Sequence, residues 1–216
     1  MKIEGRKLRL YAVTDRSWLG PGERLAEPVE ALLRAGVTCV QLREKHLGDE
    51  AFLEEAKVLK AVCSRYGVPL IINDRPEIAM RAGADGVHVG LSDMGIEKAR
   101  ALMGEGAVIG GSAHNVQEAL AAQRAGADYI GCGAVFGSST KTDVTTLSLE
   151  ELKAICRAVE IPVVAIGGIH AGNVGKLAGS GIDGIAVISA LFAAEDKASA
   201  AGVLLRAAAE FSDTAE

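Results

Sequence analysis

Arg81-Ala82-Gly83-Ala84-Asp85-Gly86-Val87-His88-Val89 holds three structural events. A helix runs out at alanine and glycine, a short turn follows, and an apolar strand begins. The pattern returns as Arg34-Ala35-Gly36-Val37-Thr38-Cys39-Val40, as Arg124-Ala125-Gly126-Ala127-Asp128-Tyr129-Ile130-Gly131, and as Gly181-Ile182-Asp183-Gly184-Ile185-Ala186-Val187-Ile188. Between these passages lie further strand-like runs at Arg9-Leu10-Tyr11-Ala12-Val13-Thr14, Pro69-Leu70-Ile71-Ile72-Asn73, Ala107-Val108-Ile109-Gly110-Gly111-Ser112 and Pro162-Val163-Val164-Ala165-Ile166. Helical periodicity fills the intervals, as in Glu50-Ala51-Phe52-Leu53-Glu54-Glu55-Ala56-Lys57-Val58-Leu59-Lys60. Strand alternating with helix implies a parallel sheet. Eight such units closing on themselves give an α/β fold, a single-domain (β/α)8 TIM barrel over residues 1–216, with Ser212-Asp213-Thr214-Ala215-Glu216 as a loose tail. The alternative is an open doubly wound sheet. Against it, Thr14-Asp15-Arg16-Ser17-Trp18 follows the first strand where that fold carries a glycine fingerprint.

The chain has 216 residues, enough for one sizeable core and close to the lower end of the roughly 200 to 400 residues that such barrels span. Its 49% hydrophobic, 24% charged and 4% aromatic content describes an aliphatic globular protein. No apolar run approaches the length of about 18 residues that a membrane span needs. A formal net charge of -5 provides no overall basic field for nucleic acid, so any anionic ligand must be held by local cations. The start, Met1-Lys2-Ile3-Glu4-Gly5-Arg6-Lys7, lacks the apolar core of a secretion signal, and a cytoplasmic location is expected. Cys39, Cys63, Cys132 and Cys156 are scattered and read as reduced, structural thiols. His46, His88, His114 and His170 show no mutual ligand spacing, so no dedicated transition-metal site is expected. The oligomeric state, a homo-oligomer included, is left open.

In barrels of this class the active site is assembled where strands end. Gln41, Arg43 and Lys45 follow strand two, Asn73-Asp74 strand three, Gly90-Leu91-Ser92-Asp93 strand four, and Ser112-Ala113-His114 closes strand five. Gly137-Ser138-Ser139-Thr140-Lys141-Thr142 follows strand six, Gly167-Gly168-Ile169 strand seven and Ser189-Ala190 strand eight. Asp74 and Asp93, on adjacent strand ends, suit magnesium, which takes one or two carboxylates and completes its shell with water and phosphate. Each could instead cap a following helix. Arg43, Lys45 and Lys141 could surround a diphosphate, or could pair with Glu44 or Asp143 at the surface. Gln41, Arg43 and Lys45 share one parity and are expected to face the cavity, with Leu42 and Glu44 facing away. Ser138, Ser139 and Thr140, with Gly167-Gly168 and Ile188-Ser189, occupy the positions where this fold frequently holds phosphate. His114 reads as the lead into a helix cap, with a proton shuttle as the alternative. His88, between Val87 and Val89, reads as structural.

Gln41-Leu42-Arg43-Glu44-Lys45, Ile72-Asn73-Asp74, Gly86-Val87-His88-Val89-Gly90 with Asp93, Gly111-Ser112-Ala113-His114 and Ala165-Ile166-Gly167-Gly168-Ile169 together resemble the thiamine phosphate synthase family, from about Tyr11 to Phe192. The resemblance implies a Mg2+-dependent transferase that joins an aminopyrimidine diphosphate to a thiazole phosphate, or its carboxylate, and releases pyrophosphate. It implies that Gln41, Arg43, Lys45, Asn73, Ser112 and Lys141 bind the pyrimidine diphosphate, with Arg43, Lys45 and Lys141 catalytic. Asp74 and Asp93 would bind the metal. Ser138, Ser139, Thr140, Gly168, Ile188 and Ser189 would hold the thiazole phosphate. The chain departs from the family where Gly137-Ser138 replaces a usual proline-threonine and Leu91 a frequent glutamine. A related tautomerase, a non-catalytic phosphate-binding barrel and a sugar-phosphate epimerase are the competing readings. Retention of Asp74, Asp93, Arg43, Lys45 and Lys141 favours the synthase over the tautomerase, which need not bind a diphosphate.

Overall fold

In the computed structural model, which describes residues 3–90, 95–137 and 146–211, eight parallel strands close into a barrel in chain order. They are β1 (Leu10–Val13), β2 (Cys39–Leu42), β3 (Leu70–Asn73), β4 (Gly86–Val89), β5 (Val108–Ala113), β6 (Tyr129–Gly133), β7 (Val163–Ile166) and β8 (Gly184–Val187). The helices around them are α1 (Ala26–Arg34), α2 (Asp49–Arg65), α3 (Pro76–Ala82), α4 (Ile96–Met103), α5 (Val116–Arg124), α6 (Leu149–Ala158), α7 (Ser189–Phe192) and α8 (Lys197–Ala209). The seam closes between β8 and β1, where Leu10 lies beside Ile185 and Ala12 beside Val187. Among the described residues, no helix is long and apolar enough to cross a membrane.

Local chemistry explains the element ends. Pro76 opens α3 and Gly83, at φ 64°, stops it. Side-chain oxygens of Asn115, Ser148 and Asp196 accept the backbone N–H groups of Glu118, Glu151 and Ser199 at 2.9, 3.1 and 2.9 Å, capping α5, α6 and α8. The regular alternation lapses once: a 3-10 turn, Val174–Leu177, carries the crossover from β7 to β8. Gly172, Gly175, Gly179 and Gly181 crowd that segment, and each glycine costs a helix about 1 kcal/mol relative to alanine.

Strand alternation separates two apolar layers. Leu10, Ala12, Val40, Leu42, Leu70 and Ile72 face outward and meet the helices. Tyr11, Val13, Cys39, Ile71, Val108, Tyr129, Val164 and Ala186 pack inside the barrel. The four cysteines are free thiols, and burial pushes those of Cys63 and Cys156 up to about 12, so they remain protonated and pack as small apolar groups.

At the N-terminal end of the barrel one device recurs. The residue just ahead of each even strand accepts a hydrogen bond from the first or second N–H of the preceding odd strand. Leu10 N–H donates to Thr38 Oγ1 at 3.0 Å, Leu70 to Asp85 at 2.8 Å, Ile109 to Asp128 at 2.8 Å and Val163 to Asp183 at 2.9 Å. Lys60 pairs with Asp85 at 2.7 Å and Arg100 with Asp128 at 2.6 Å. Thr38, Asp85, Asp128 and Asp183 are the same positions that recur in the sequence pattern.

Candidate active site

At the opposite end the strands surround a cavity of about 180 Å3. Tyr11 and Val13 of β1, Gln41 of β2, Asn73 of β3, His88 of β4, Ser112 of β5 and Tyr129 of β6 all reach it, because each has the inward parity of its strand. Arg43, His114, Gly167 and Ile188 stand at strand ends around it.

The floor is a chain of hydrogen bonds. Gln41 Nε2 donates to the Tyr11 hydroxyl at 2.9 Å, the Tyr11 and Tyr129 hydroxyls lie 2.8 Å apart, and Tyr129 meets His88 Nδ1 at 3.0 Å. His88 Nε2 then meets Ser112 Oγ at 3.1 Å. Burial, with the neighbouring phenol and Cys39 adding, pushes Tyr11 well above the ordinary phenol range; burial and Cys39 do the same to Tyr129. Both stay neutral hydroxyls. Small residues make the space: a Cβ on Gly110 would lie 2.3 Å from the Tyr129 ring and 2.5 Å from His88 Nδ1, and one on Gly131 would lie 3.1 Å from the His88 ring.

Of the residues expected to hold a diphosphate, Gln41, Arg43, Asn73 and Ser112 line this one cavity. Leu42 packs outward, and Glu44 turns away to bind Arg16, whose Nη2 lies 2.9 Å from Glu44 Oε1 and 2.8 Å from Glu55 Oε2. That pairing occupies the carboxylate that could have neutralised Arg43. Lys45 is exposed and is not among the cavity walls: beyond Leu42 the chain has left the strand, and pleat parity no longer directs its side chains. Lys141 lies outside the described residues.

Asp74 adopts φ 62°, the left-handed region, and no other non-glycine residue among those described does so. The N-cap position of α3 falls on Arg75 and carries no side-chain capping bond, so Asp74 does not serve as the helix cap that the sequence allowed. Its carboxylate accepts from Asn73 Nδ2 at 2.6 Å, and its N–H donates to the His88 carbonyl at 2.8 Å. Asp74 follows the cavity-lining Asn73 in the chain and is not itself among the cavity walls; a carboxylate is the ligand type a hard cation takes. Asp93 lies outside the described residues, and no group of three or more metal-ligating side chains forms among those described.

On the far wall, Gly167 and Ile188 line the cavity, with Gly168 and Ser189 next to them in the chain. Gly168 has φ 64°, and a Cβ there would lie 2.2 Å from the Gly137 carbonyl oxygen. The glycine is required where the turns after β6 and β7 touch. Ser138, Ser139 and Thr140 lie outside the described residues. His114 reaches the cavity and leads into the Asn115 cap, with Nδ1 3.2 Å from Glu118 Oε2.

Tyr11, His88 and Tyr129 are the site residues that the sequence reading missed. The available signal was parity: His88 alternates with outward Val87 and Val89, and Gly110 and Gly131 flank its position on the inward faces of the next strands.

Residues 10–191 match the family model described as thiamine monophosphate synthase. The thiamine-phosphate synthase of Clostridium acetobutylicum is 50% identical over 187 residues, 87% of this chain and 88% of that protein. This chain belongs to the thiamine monophosphate synthase family. The thiamine-phosphate synthase of Methanobrevibacter smithii is 47% identical over 199 residues, covering 92% of this chain and 94% of that protein. The solved thiamine phosphate pyrophosphorylase of Pyrococcus furiosus superposes with a TM-score of 0.88 at 38% identity, covering 96% and 98% of the two chains. A 3-hexulose-6-phosphate synthase structure, TM-score 0.65 at 17% identity, shares the barrel alone. Within the synthase family's barrel, the cavity of this chain thus joins a hydrogen-bonded polar floor to a rim that carries Arg43.

Proposed function

We propose that this family member is a thiamine phosphate synthase that joins an aminopyrimidine bearing a diphosphooxymethyl group to a phosphoethyl thiazole, or its carboxylate, and releases pyrophosphate with the help of Mg2+. The observation that carries this reading is the cavity itself, where the neutral polar groups of Gln41, Asn73 and Ser112 line one space together with the guanidinium-bearing Arg43.

The floor suits a flat, neutral, hydrogen-bonding ring. Arg43 offers a fork of N–H groups to the diphosphate, and the charge it supplies grows in value as pyrophosphate departs from the pyrimidine methylene. Lys45, exposed beyond the strand end, would add a movable point charge, and Lys141 a second. Asp74 and Asp93 would hold Mg2+, which when bound offsets negative charge on the leaving diphosphate. The amino group of the ring delocalises the positive charge left on the methylene. The thiazole nitrogen then attacks that carbon, so no protein nucleophile is required. Gly168, Ile188 and Ser189, with Ser138, Ser139 and Thr140, would hold the thiazole phosphate and fix the nitrogen in line, converting a bimolecular attack into an oriented one. The deciding experiment mixes the purified protein with both substrates and Mg2+ and follows thiamine phosphate and pyrophosphate together. Stoichiometric appearance of the two supports the reading, and absence of coupled product sinks it.

A further inference from the structure

The hydrogen-bond chain beneath the cavity admits one consistent direction starting from Gln41. Gln41 contacts Tyr11 through Nε2, which can only donate. The Tyr11 oxygen accepts that proton; of the Tyr11 and Tyr129 hydroxyls, 2.8 Å apart, either can donate, and the polarity inferred here sends the Tyr11 proton to Tyr129. With that polarity Tyr129 donates to Nδ1 of a neutral His88 at 3.0 Å, and the ring proton sits on Nε2. His88 Nε2–H donates to Ser112 Oγ at 3.1 Å, and the serine proton is left to point elsewhere. At the first end of the chain Gln41 keeps its acceptor, Oε1; at the last, Ser112 keeps a donor. Both residues line the cavity.

The chain is built for this purpose and is more than packing. Its two phenols are 2% and 0% exposed, and it links five different strands. Pairing sets His88 beside Gly110 and Gly110 beside Tyr129, and only the missing Cβ of Gly110 lets the two rings meet above it.

We propose that Tyr11, Tyr129 and His88 are positioning residues that impose one donor–acceptor polarity on the cavity, an acceptor at Gln41 and a donor at Ser112. The ligand so selected is a neutral amino-substituted nitrogen heterocycle: its amino N–H meets Gln41 and an unprotonated ring nitrogen meets Ser112. A ring with an oxo group in place of the amino group sets oxygen against oxygen at Gln41 and is rejected. Turning the Gln41 amide over would reverse every bond and select the opposite ring. This inference rests on the pyrimidine assignment proposed above and specifies how that ring is told from its analogues.

The test reads the relay without turnover. Nitrogen NMR of imidazole-labelled protein should show His88 as the Nε2–H tautomer. Tyr129→Phe, which keeps the ring and removes the link, should lose that preference. Calorimetry should show the amino pyrimidine diphosphate bound about tenfold more weakly by Tyr129→Phe, the loss of one buried hydrogen-bond contact. The preference over the oxo analogue should narrow, and thiazole phosphate affinity should not change. Tyr11→Phe, one link further away, should act in the same direction and serves if the first variant folds poorly. An Nδ1–H tautomer in the unaltered protein, or a Tyr129→Phe variant with tautomer and selectivity intact, overturns the proposal. Failure to form thiamine phosphate with these results in place would refute the proposed activity and leave the relay standing.

Discussion

The two ends of this barrel solve opposite problems. At the N-terminal end a single solution is used four times, at Thr38, Asp85, Asp128 and Asp183, each satisfying a strand-opening N–H. At the C-terminal end neighbouring strands offer different groups to one cavity: an amide at Gln41 and Asn73, an imidazole at His88, a hydroxyl at Ser112. Repetition marks the end where every strand has the same need, a partner for its first donors. Variety marks the end where one ligand presents a different atom to each strand. Stability and chemistry are thereby separated by the length of a strand.

Arg43→Ala should break the chemical end alone. We expect kcat/KM to fall by up to about a thousandfold, as for loss of a charge that stabilises a leaving anion, with an unchanged unfolding midpoint in urea. A large shift of that midpoint would show that the separation is incomplete. Asp128→Ala is the converse. It leaves the Ile109 N–H without its acceptor and takes the charge partner from the largely buried Arg100, which keeps its bonds to the Gly104, Ala107 and Gly126 carbonyls; it should cost about 2 kcal/mol of stability, while folded enzyme retains its kcat/KM. Gly110→Ala lies between the two ends and should disturb both. Forcing a methyl against Tyr129 and His88 should cost about 1–3 kcal/mol and weaken pyrimidine diphosphate binding in calorimetry; an effect on one property only would uncouple the floor from the site. Asp74→Gly should give the smallest change in stability and one of opposite sign. Relief of the left-handed backbone should raise the unfolding free energy by up to about 1 kcal/mol, while activity at limiting Mg2+ falls. A variant that loses stability would show that the carboxylate holds the turn rather than a cation.

The same contrast explains what was legible in the sequence. The four caps sit inside one recurring local pattern, helix end, turn and strand start, so the eight strands could be counted by reading along the chain. Gln41 was legible through parity, Arg43 through its place at a strand end. The Tyr11–Tyr129–His88 floor was not, because it takes one residue from each of several strands and no two are near in sequence. His88 looked structural between two valines, and only barrel closure shows which way it points. Lys45 was expected at the wall on a parity argument that stops applying where the strand ends. The crossover after β7 is short of a full helix for a reason visible in its glycines but overridden, on first reading, by the regularity of the other units.

The repeated caps also bear on the order in which the molecule assembles. Their partners are 28, 15, 19 and 20 residues apart in sequence, whereas β1 and β8 must join across nearly the whole chain. Closing a short loop forfeits less entropy than closing a long one, and contacts near in sequence form faster. Each quarter of the barrel can thus gather its two strands early, and the β8–β1 seam is left as the final, rate-setting event. Substitution at Asp85 should then slow folding, and a truncation such as Val187→Ala at the seam should chiefly hasten unfolding; equal effects on both rates at the two places would argue for closure all at once.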